Sequence, residues 1–264
     1  MNTTLFPAQG SNIYLIINNG ARVLQNKYFD FASYLSKNQI NVVTYDYRDM
    51  ISTEKDSPEI QGSILQWAKR DMGDVMGHIL EKDPAANIFI LGHSLGGQII
   101  GLSEWSTKAK GIVLVATQTG YYRYWKFPFN IINYSLWYFL IPHFVRVYGY
   151  FPGRKHKGTE NMPKTPALEW AKWCQSPKYL FDHIPREDQY FEKITCPLLA
   201  ISFADDIYAT RASVDWFTAK YSSAQVHKVH YKSKKMKYSH SALFEPKNFS
   251  QMGDDLIRFI ENAL

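Results

Sequence analysis

The chain has 264 residues, 45% hydrophobic and 20% charged. That is an ordinary globular composition with room for one large α/β domain. A net charge of +6 favours anionic partners, but no zinc-finger, helix-turn-helix or RNA-binding pattern accompanies it, so nucleic acid is not expected. Two cysteines, Cys174 and Cys196, make no disulfide framework and read as buried apolar groups in a reducing, cytoplasmic compartment.

The first residues carry neither a basic stretch nor an apolar core of the kind a signal peptide needs. Residues 13–17 (Ile-Tyr-Leu-Ile-Ile) are an unbroken β-branched and aromatic run, as in a strand buried on both faces. Asn18-Asn19-Gly20-Ala21 follows as a turn, then helical spacing over 27–37 through Tyr28, Phe31, Ala32 and Leu35. A second strand covers 42–47. Ser57-Pro58 opens a helix to about residue 81, with Ser57 as N-cap and Pro58 at the first helical position. Its apolar face holds Ile60, Ile64, Ala68, Met72, Val75, Met76 and Ile79, and Asp83-Pro84 ends it. Further strands fall at 88–91, 111–116, 197–203 and 226–231, the last more polar, as an edge-side strand is. Helices follow at 210–221 and 249–263. This alternation predicts parallel βαβ units with helices on both faces. Only about twelve residues precede the first predicted strand, leaving room for one short extra strand over 3–6.

Between the fourth and fifth strands, residues 120–192 are too many for one crossover helix. They are rich in aromatic residues, among them Tyr121, Trp125, Trp137 and Trp170. The organisation expected is a core of 1–119 and 193–264 and a mostly helical cap of 120–192 over the C-terminal edge of the sheet, where open α/β sheets bind ligands. Tyr121, Trp125, Trp137 and Trp170 are candidates for the wall of an apolar or acyl substrate pocket; the plainer reading is that the rings hold the cap together. The most apolar stretch, 131–150, is interrupted by Asn133, Pro142, His143 and Arg146, so no transmembrane helix is expected.

The third strand runs into Gly92-His93-Ser94-Leu95-Gly96-Gly97, followed by the small, apolar residues of a buried helix. Strand, sharp glycine turn and helix is the context in which G-x-S-x-G places a nucleophilic serine, Ser94, at the end of a sheet. A serine hydroxyl needs a base, and the base a carboxylate to orient it. In a parallel sheet both must lie at the C-terminal ends of neighbouring strands. Of eight histidines, only His240 lies in the loop after the last strand. The fifth strand is followed by Asp205 and Asp206, either of which fits. The oxyanion of an attacked carbonyl needs two backbone N–H groups, one of them from Leu95.

The order Ser94, Asp, His240 is that of the α/β-hydrolase superfamily. Gly92-His93-Ser94-Leu95-Gly96-Gly97 resembles its nucleophile elbow, Asp46-Tyr47-Arg48 its strand-end Asp-Tyr-Arg-Gly, and Tyr238-Ser239-His240 its Gly-His segment. Phe203-Ala204-Asp205-Asp206-Ile207-Tyr208-Ala209-Thr210 resembles its acid segment, and that match selects Asp206 over Asp205. Tyr121 to Trp125, Gly149-Tyr150-Phe151-Pro152 and Glu169-Trp170-Ala171-Lys172-Trp173-Cys174 resemble the cap of a little-characterised bacterial group of such hydrolases. The resemblance implies an α/β-hydrolase fold of about six core parallel strands with a helical cap, the usual N-terminal β-hairpin mostly missing, and Ala21 N–H as the second oxyanion donor. Asn19 stands where the family has His, Asp49 and Ser239 where it has Gly, and Thr210 where it has Pro.

The function expected is a serine hydrolase of carboxylic esters or thioesters, with a small-molecule acyl substrate and no metal or cofactor. A non-catalytic ligand-binding protein on the same fold and a peptidase are the alternatives. The basic run Lys232, Lys234, Lys235 and Lys237 near His240 reads either as a solvated loop or as a site for anionic head groups at a membrane surface.

Overall fold

The unbroken apolar runs form the middle of one sheet, since a strand packed on both faces has no position for a polar side chain. The computed structural model describes residues 1–50, 62–153, 160–234 and 237–264. Its strands are β1 (Thr3–Phe6), β2 (Ile13–Asn18), β3 (Asn41–Tyr45), β4 (Asn87–His93), β5 (Gly111–Val115), β6 (Tyr150–Phe151), β7 (Met162–Pro163), β8 (Leu198–Phe203) and β9 (Val226–Tyr231). Seven form the main sheet in the order β1-β3-β2-β4-β5-β8-β9, and β6 pairs with β7 apart from it. From β3 to β9 every pairing is parallel, while β1 runs antiparallel along β3. Six parallel strands and one short extra strand over 3–6 are what the sequence spacing predicts.

The helices are α1 (Phe29–Lys37), α2 (Ile64–Gln66), α3 (Gly73–Lys82), α4 (Leu95–Gln98), α5 (Phe129–Ser135), α6 (Ile141–Tyr148), α7 (Lys164–Gln175), α8 (Arg211–Thr218) and α9 (Asp254–Asn262). A π-helical stretch, Trp67–Met72, joins α2 to α3. The N-cap here is Ser63, whose Oγ accepts from Gln66 N at 3.1 Å while Gln66 Oε1 accepts from Ser63 N at 3.3 Å. The proposed start at Ser57-Pro58, and Ile60, lie outside the described residues. Period-two alternation divides the core. Leu15, Ile17, Phe89, Leu91, Val113 and Val115 face α1 and α9, whereas Ile16, Ile88, Ile90, Ile112 and Leu114 share a core with Trp67, Met72 and Met76. Among the described residues no helix is long and apolar enough to cross a membrane.

Among the described residues of 120–192 lie α5 to α7, the β6–β7 pair and the 3₁₀ turns Tyr122–Tyr124, Tyr179–Asp182 and Arg186–Asp188. Their attachment to the sheet domain is polar as well as apolar. Trp170 Nε1 donates to Tyr179 Oη at 2.9 Å, and Tyr179 donates to Gln98 Oε1 at 2.6 Å, one turn beyond Ser94. Glu169 Oε2 accepts from Ile64 N at 2.8 Å at the start of α2. Trp125 Nε1 donates to Ile207 O at 2.8 Å, and Thr210 Oγ1 to Tyr124 O at 3.1 Å.

Removing the Tyr179 hydroxyl strands a buried acceptor on Gln98 and an indole donor on Trp170. Tyr179→Phe is therefore expected to cost about 1–3 kcal/mol, read from the denaturation midpoint at unchanged m-value. A loss below about 0.5 kcal/mol would show that these groups find other partners.

Candidate active site

The turn after β4 is built on close backbone approach. A Cβ on Gly92 would lie 2.2 Å from Gly97 Cα, and one on Gly96 would lie 2.2 Å from Asn18 O. One on Gly97 would meet Thr117 Oγ1 at 2.0 Å. Only hydrogen fits at these positions, so α4 packs directly onto the ends of β2 and β5. Ser94 between them takes φ 53° and ψ −118°, a region that non-glycine residues occupy only where surrounding structure enforces it. Its N–H is anchored to Val115 O at 2.9 Å. Leu95, fully buried, is the first residue of α4, so its N–H has no intrahelical acceptor.

His240 lies after β9, and its Nδ1 is 2.7 Å from Asp206 Oδ2. The Asp206 side chain is fully buried. Its other oxygen, Oδ1, accepts from Tyr208 N at 2.7 Å and Ala209 N at 3.0 Å. Because the carboxylate only accepts, His240 presents its proton at Nδ1 and leaves Nε2 as a lone pair. Asp205 is exposed and accepts instead from Tyr238 N at 3.3 Å. The structure thus joins His240 to Asp206. Thr210, in place of the family's proline, caps α8 by accepting from Ser213 N at 3.2 Å and, as noted above, reaches Tyr124.

The loop after β2 is tied to the same centre through His93, the middle residue of Gly92-His93-Ser94. His93 Nε2 lies 3.1 Å from His240 O, and its Nδ1 lies 2.9 Å from Tyr28 Oη. Tyr28 Oη in turn accepts from Gly20 N at 2.9 Å. The chain has one direction. A carbonyl can only accept, so Nε2 carries the His93 proton; Nδ1 then accepts from Tyr28, and Tyr28 accepts from Gly20. Burial, with His240 close by, holds His93 well below the ordinary imidazole range, so it stays neutral. The His93 and His240 ring centroids are 5.0 Å apart.

Beside Gly20, Ala21 lies in a turn closed by Val23 N donating to Gly20 O at 3.2 Å. The next residue, Arg22, has φ 62° and reaches the β6–β7 region. It donates to Pro152 O at 2.9 Å and Glu160 O at 3.0 Å, while its own carbonyl accepts from Glu160 N at 2.8 Å. Asn19, where the family has His, donates to Tyr45 O at 2.7 Å and accepts at its backbone from Tyr47 Oη at 3.1 Å. Asp46 fastens the segment before α1, accepting from Gln25 N at 2.7 Å and Gln25 Nε2 at 3.0 Å. Tyr28 and Arg22 belong to no motif of the sequence, and Tyr47 belongs to the strand-end Asp46-Tyr47-Arg48 without that motif giving its hydroxyl a partner. The available signal for Arg22 is its place directly after the Asn18-Asn19-Gly20-Ala21 turn.

The four candidate pocket residues separate. Trp125 is bonded to the loop that carries Asp206, and Tyr121 packs edge-on against Tyr122 at 5.0 Å. Trp137 and Trp170 pack against each other at 4.9 Å, and the Trp170 indole N–H is taken by Tyr179. Among the described residues no three His, Cys, Asp or Glu side chains are placed to hold a metal ion.

A parallel sheet with a strained serine on a glycine turn, and a histidine and an acid after its last two parallel strands, defines the α/β-hydrolase superfamily, to which this chain belongs. Residues 12–247 match the family described as serine aminopeptidase, S33, and the chain is a member of that family. No curated protein sequence matches it. Solved structures do. A soluble variant of monoglyceride lipase from Saccharomyces cerevisiae, in complex with a substrate analogue, superposes with a TM-score of 0.69 at 13% identity, over 99% of this chain and 90% of that one. One of two metagenome-derived lipolytic enzymes, LipS and LipT, gives 0.64 at 14% identity over 98% and 97%. The monoacylglycerol lipase of Paleococcus ferrophilus gives 0.63 at 13% identity over 100% and 99%. At these identities the likeness is one of fold.

Unfolded, His93 takes up a proton near pH 6.5, while in the folded protein burial holds it neutral to a lower pH. Its contribution to stability is therefore complete above about pH 6.5 and is lost as pH falls below it, by up to about 1.4 kcal/mol per pH unit. His93→Gln, neutral at every pH, is expected to flatten the fall in stability between about pH 6.5 and 5 in denaturant titrations. An unchanged slope would mean that His93 is not buried as a neutral ring.

Proposed function

We propose that the chain is a serine hydrolase of carboxylic esters or thioesters, working through Ser94, His240 and Asp206 and an acyl-enzyme. The observation that carries this reading is the 2.7 Å contact of His240 Nδ1 with Asp206, a carboxylate whose other oxygen is already saturated by two backbone N–H groups. That arrangement leaves Nε2 of His240 as the base. Nε2 takes the Ser94 proton, Oγ attacks the substrate carbonyl, and the N–H groups of Leu95 and Ala21 hold the developing oxyanion. Collapse expels the alcohol or thiol, protonated by His240. A water activated by His240 then releases the acid and restores Ser94.

Residues 120–192 serve as the cap over this site, with Trp125 at the Asp206 loop and Tyr121, Trp137 and Trp170 behind it. The acyl chain of a small-molecule substrate lies against aromatic rings of this cap, while Trp170 is tied to Tyr179. The cytoplasm remains the compartment that the composition fits, and no cofactor is required by the chemistry.

The family description also brings in a peptidase reading. An aminopeptidase has to bind a protonated α-amine, which calls for a carboxylate facing the substrate. Residues 105–159 contain no Asp or Glu. Of the acids beyond them, Glu169 accepts from Ile64 N and is pushed up in pKa by burial. Asp188 pairs with Lys69, and Glu192 with Arg186. The distribution of charge favours ester substrates.

A fluorophosphonate probe is expected to label the wild type and not Ser94→Ala; equal labelling of both would end this reading. On p-nitrophenyl esters of increasing chain length, Asp206→Asn should lower kcat on the order of 10⁴-fold, since the amide no longer holds His240 in its working tautomer. Asp205→Asn should leave kcat nearly unchanged. Tight retention of acyl ligands with no turnover would favour a binding protein instead.

A further inference from the structure

The helix running through α5, the π-helical Leu136–Leu140 and α6 is continuous, since Leu136 and Ile141 at its joints are both right-handed helical. It buries Trp137, Ile141 and Val145. An ordinary surface helix turns charge outward on the opposite side. Here the outward side carries Phe129, Ile132, Phe139, Leu140 and Val147, all exposed, with Phe139 at 60%. Phe127, just before it, is 77% exposed. The same surface bears exposed Arg123, Lys126 and Arg146, and residues 105–159 hold no acid to balance them. The patch continues at the candidate site: Ile207 and Tyr208 are 53% and 60% exposed, Trp125 is bonded to Ile207, and the Tyr208 ring lies edge-on to His240 at 5.4 Å.

We infer that this apolar, cation-bearing face docks the protein on an anionic lipid bilayer, with the mouth of the Ser94 site turned toward the membrane. Aromatic and aliphatic side chains entering the head-group boundary, beside cations that meet anionic lipids, are the components of an interfacial helix. The helix lies on the bilayer rather than crossing it. A second copy of the chain is the poorer occupant, because a self-facing interface brings Arg123, Lys126 and Arg146 of both copies together without an acid from the same stretch. That the bilayer delivers acyl substrate rests on the ester-hydrolase reading; the docking itself does not.

The test is co-sedimentation of the full chain with vesicles of phosphatidylcholine alone and of phosphatidylcholine with one third phosphatidylglycerol. The wild type is expected to bind the anionic vesicles more tightly, and to lose that preference as salt rises and screening shortens. Ile132→Glu/Phe139→Glu should weaken partitioning at least about tenfold while turning over a short, soluble p-nitrophenyl ester at the wild-type rate. If that variant also loses soluble turnover, Val147→Glu on a later turn replaces it. Wild type left in the supernatant with both vesicles, or variants bound as well as wild type, would overturn the proposal. So would a wild-type dimer in light scattering that the variant dissociates and vesicles do not compete for. Ser94→Ala separates the two readings: it should sediment like wild type, whatever its activity.

Discussion

The site depends on how closely three backbones meet behind Ser94. The ends of β2 and β5 and the first turn of α4 converge where Gly92, Gly96 and Gly97 stand, and at each of these positions a methyl group would overlap a neighbouring atom. Well-packed interiors do not absorb overlaps of that size. The contact therefore fixes the direction of α4, the positive φ of Ser94 and the position of Leu95 N–H together. These are not three separate features but one consequence of missing side chains.

From that point order spreads outward through hydrogen bonds whose polarity is dictated at their ends. The N–H of Gly20 can only give and the carbonyl of His240 can only receive, so the protons on Tyr28 and His93 between them have one arrangement. Two histidines with ring centroids 5.0 Å apart consequently hold opposite tautomers. His93 carries its proton on Nε2 because a carbonyl lies there, and His240 carries its proton on Nδ1 because Asp206 lies there. Neighbouring acceptors, rather than the imidazole itself, divide a structural role from a proposed chemical one. The same wiring binds the Gly20-Ala21 turn to the loop of His240 through Tyr28 and His93.

Much of this was legible in the sequence, for identifiable reasons. The inner parallel strands are unbroken apolar runs with no competing interpretation, and the glycines of the serine turn announce a close approach. His240 stands out because topology leaves one histidine in the loop after the last strand. Asp205 and Asp206 differ only in what their backbones do next, and choosing between them took family resemblance. What stayed hidden was side-chain allegiance. Tyr28 occupies an ordinary apolar position of a helical pattern, and nothing local tells that its hydroxyl joins the Gly20-Ala21 turn to the loop of His240. The second strand stops at Tyr45 because Asp46 turns aside to hold Gln25, a partner twenty-one residues earlier. Aromatic rings at helical spacing look alike whether they line a cavity or, like Trp170 on Tyr179, bind two parts of the chain.

Glu169 and Thr210 have a bearing on how such a protein diverges. Glu169 supplies the acceptor for the first amide of α2, and Thr210 and Trp125 tie the 120s to the loop of Asp206. The segment between β5 and β8 is here sewn into the scaffold at the C-terminal ends of the strands, beside Ser94 and Asp206. Grafting a relative's segment between β5 and β8 would therefore leave the first amide of α2 without its acceptor and loosen the loop of Asp206, unless those three stitches were transplanted with it. Changes of specificity in this lineage are expected to accumulate by point replacement within the segment rather than by wholesale exchange.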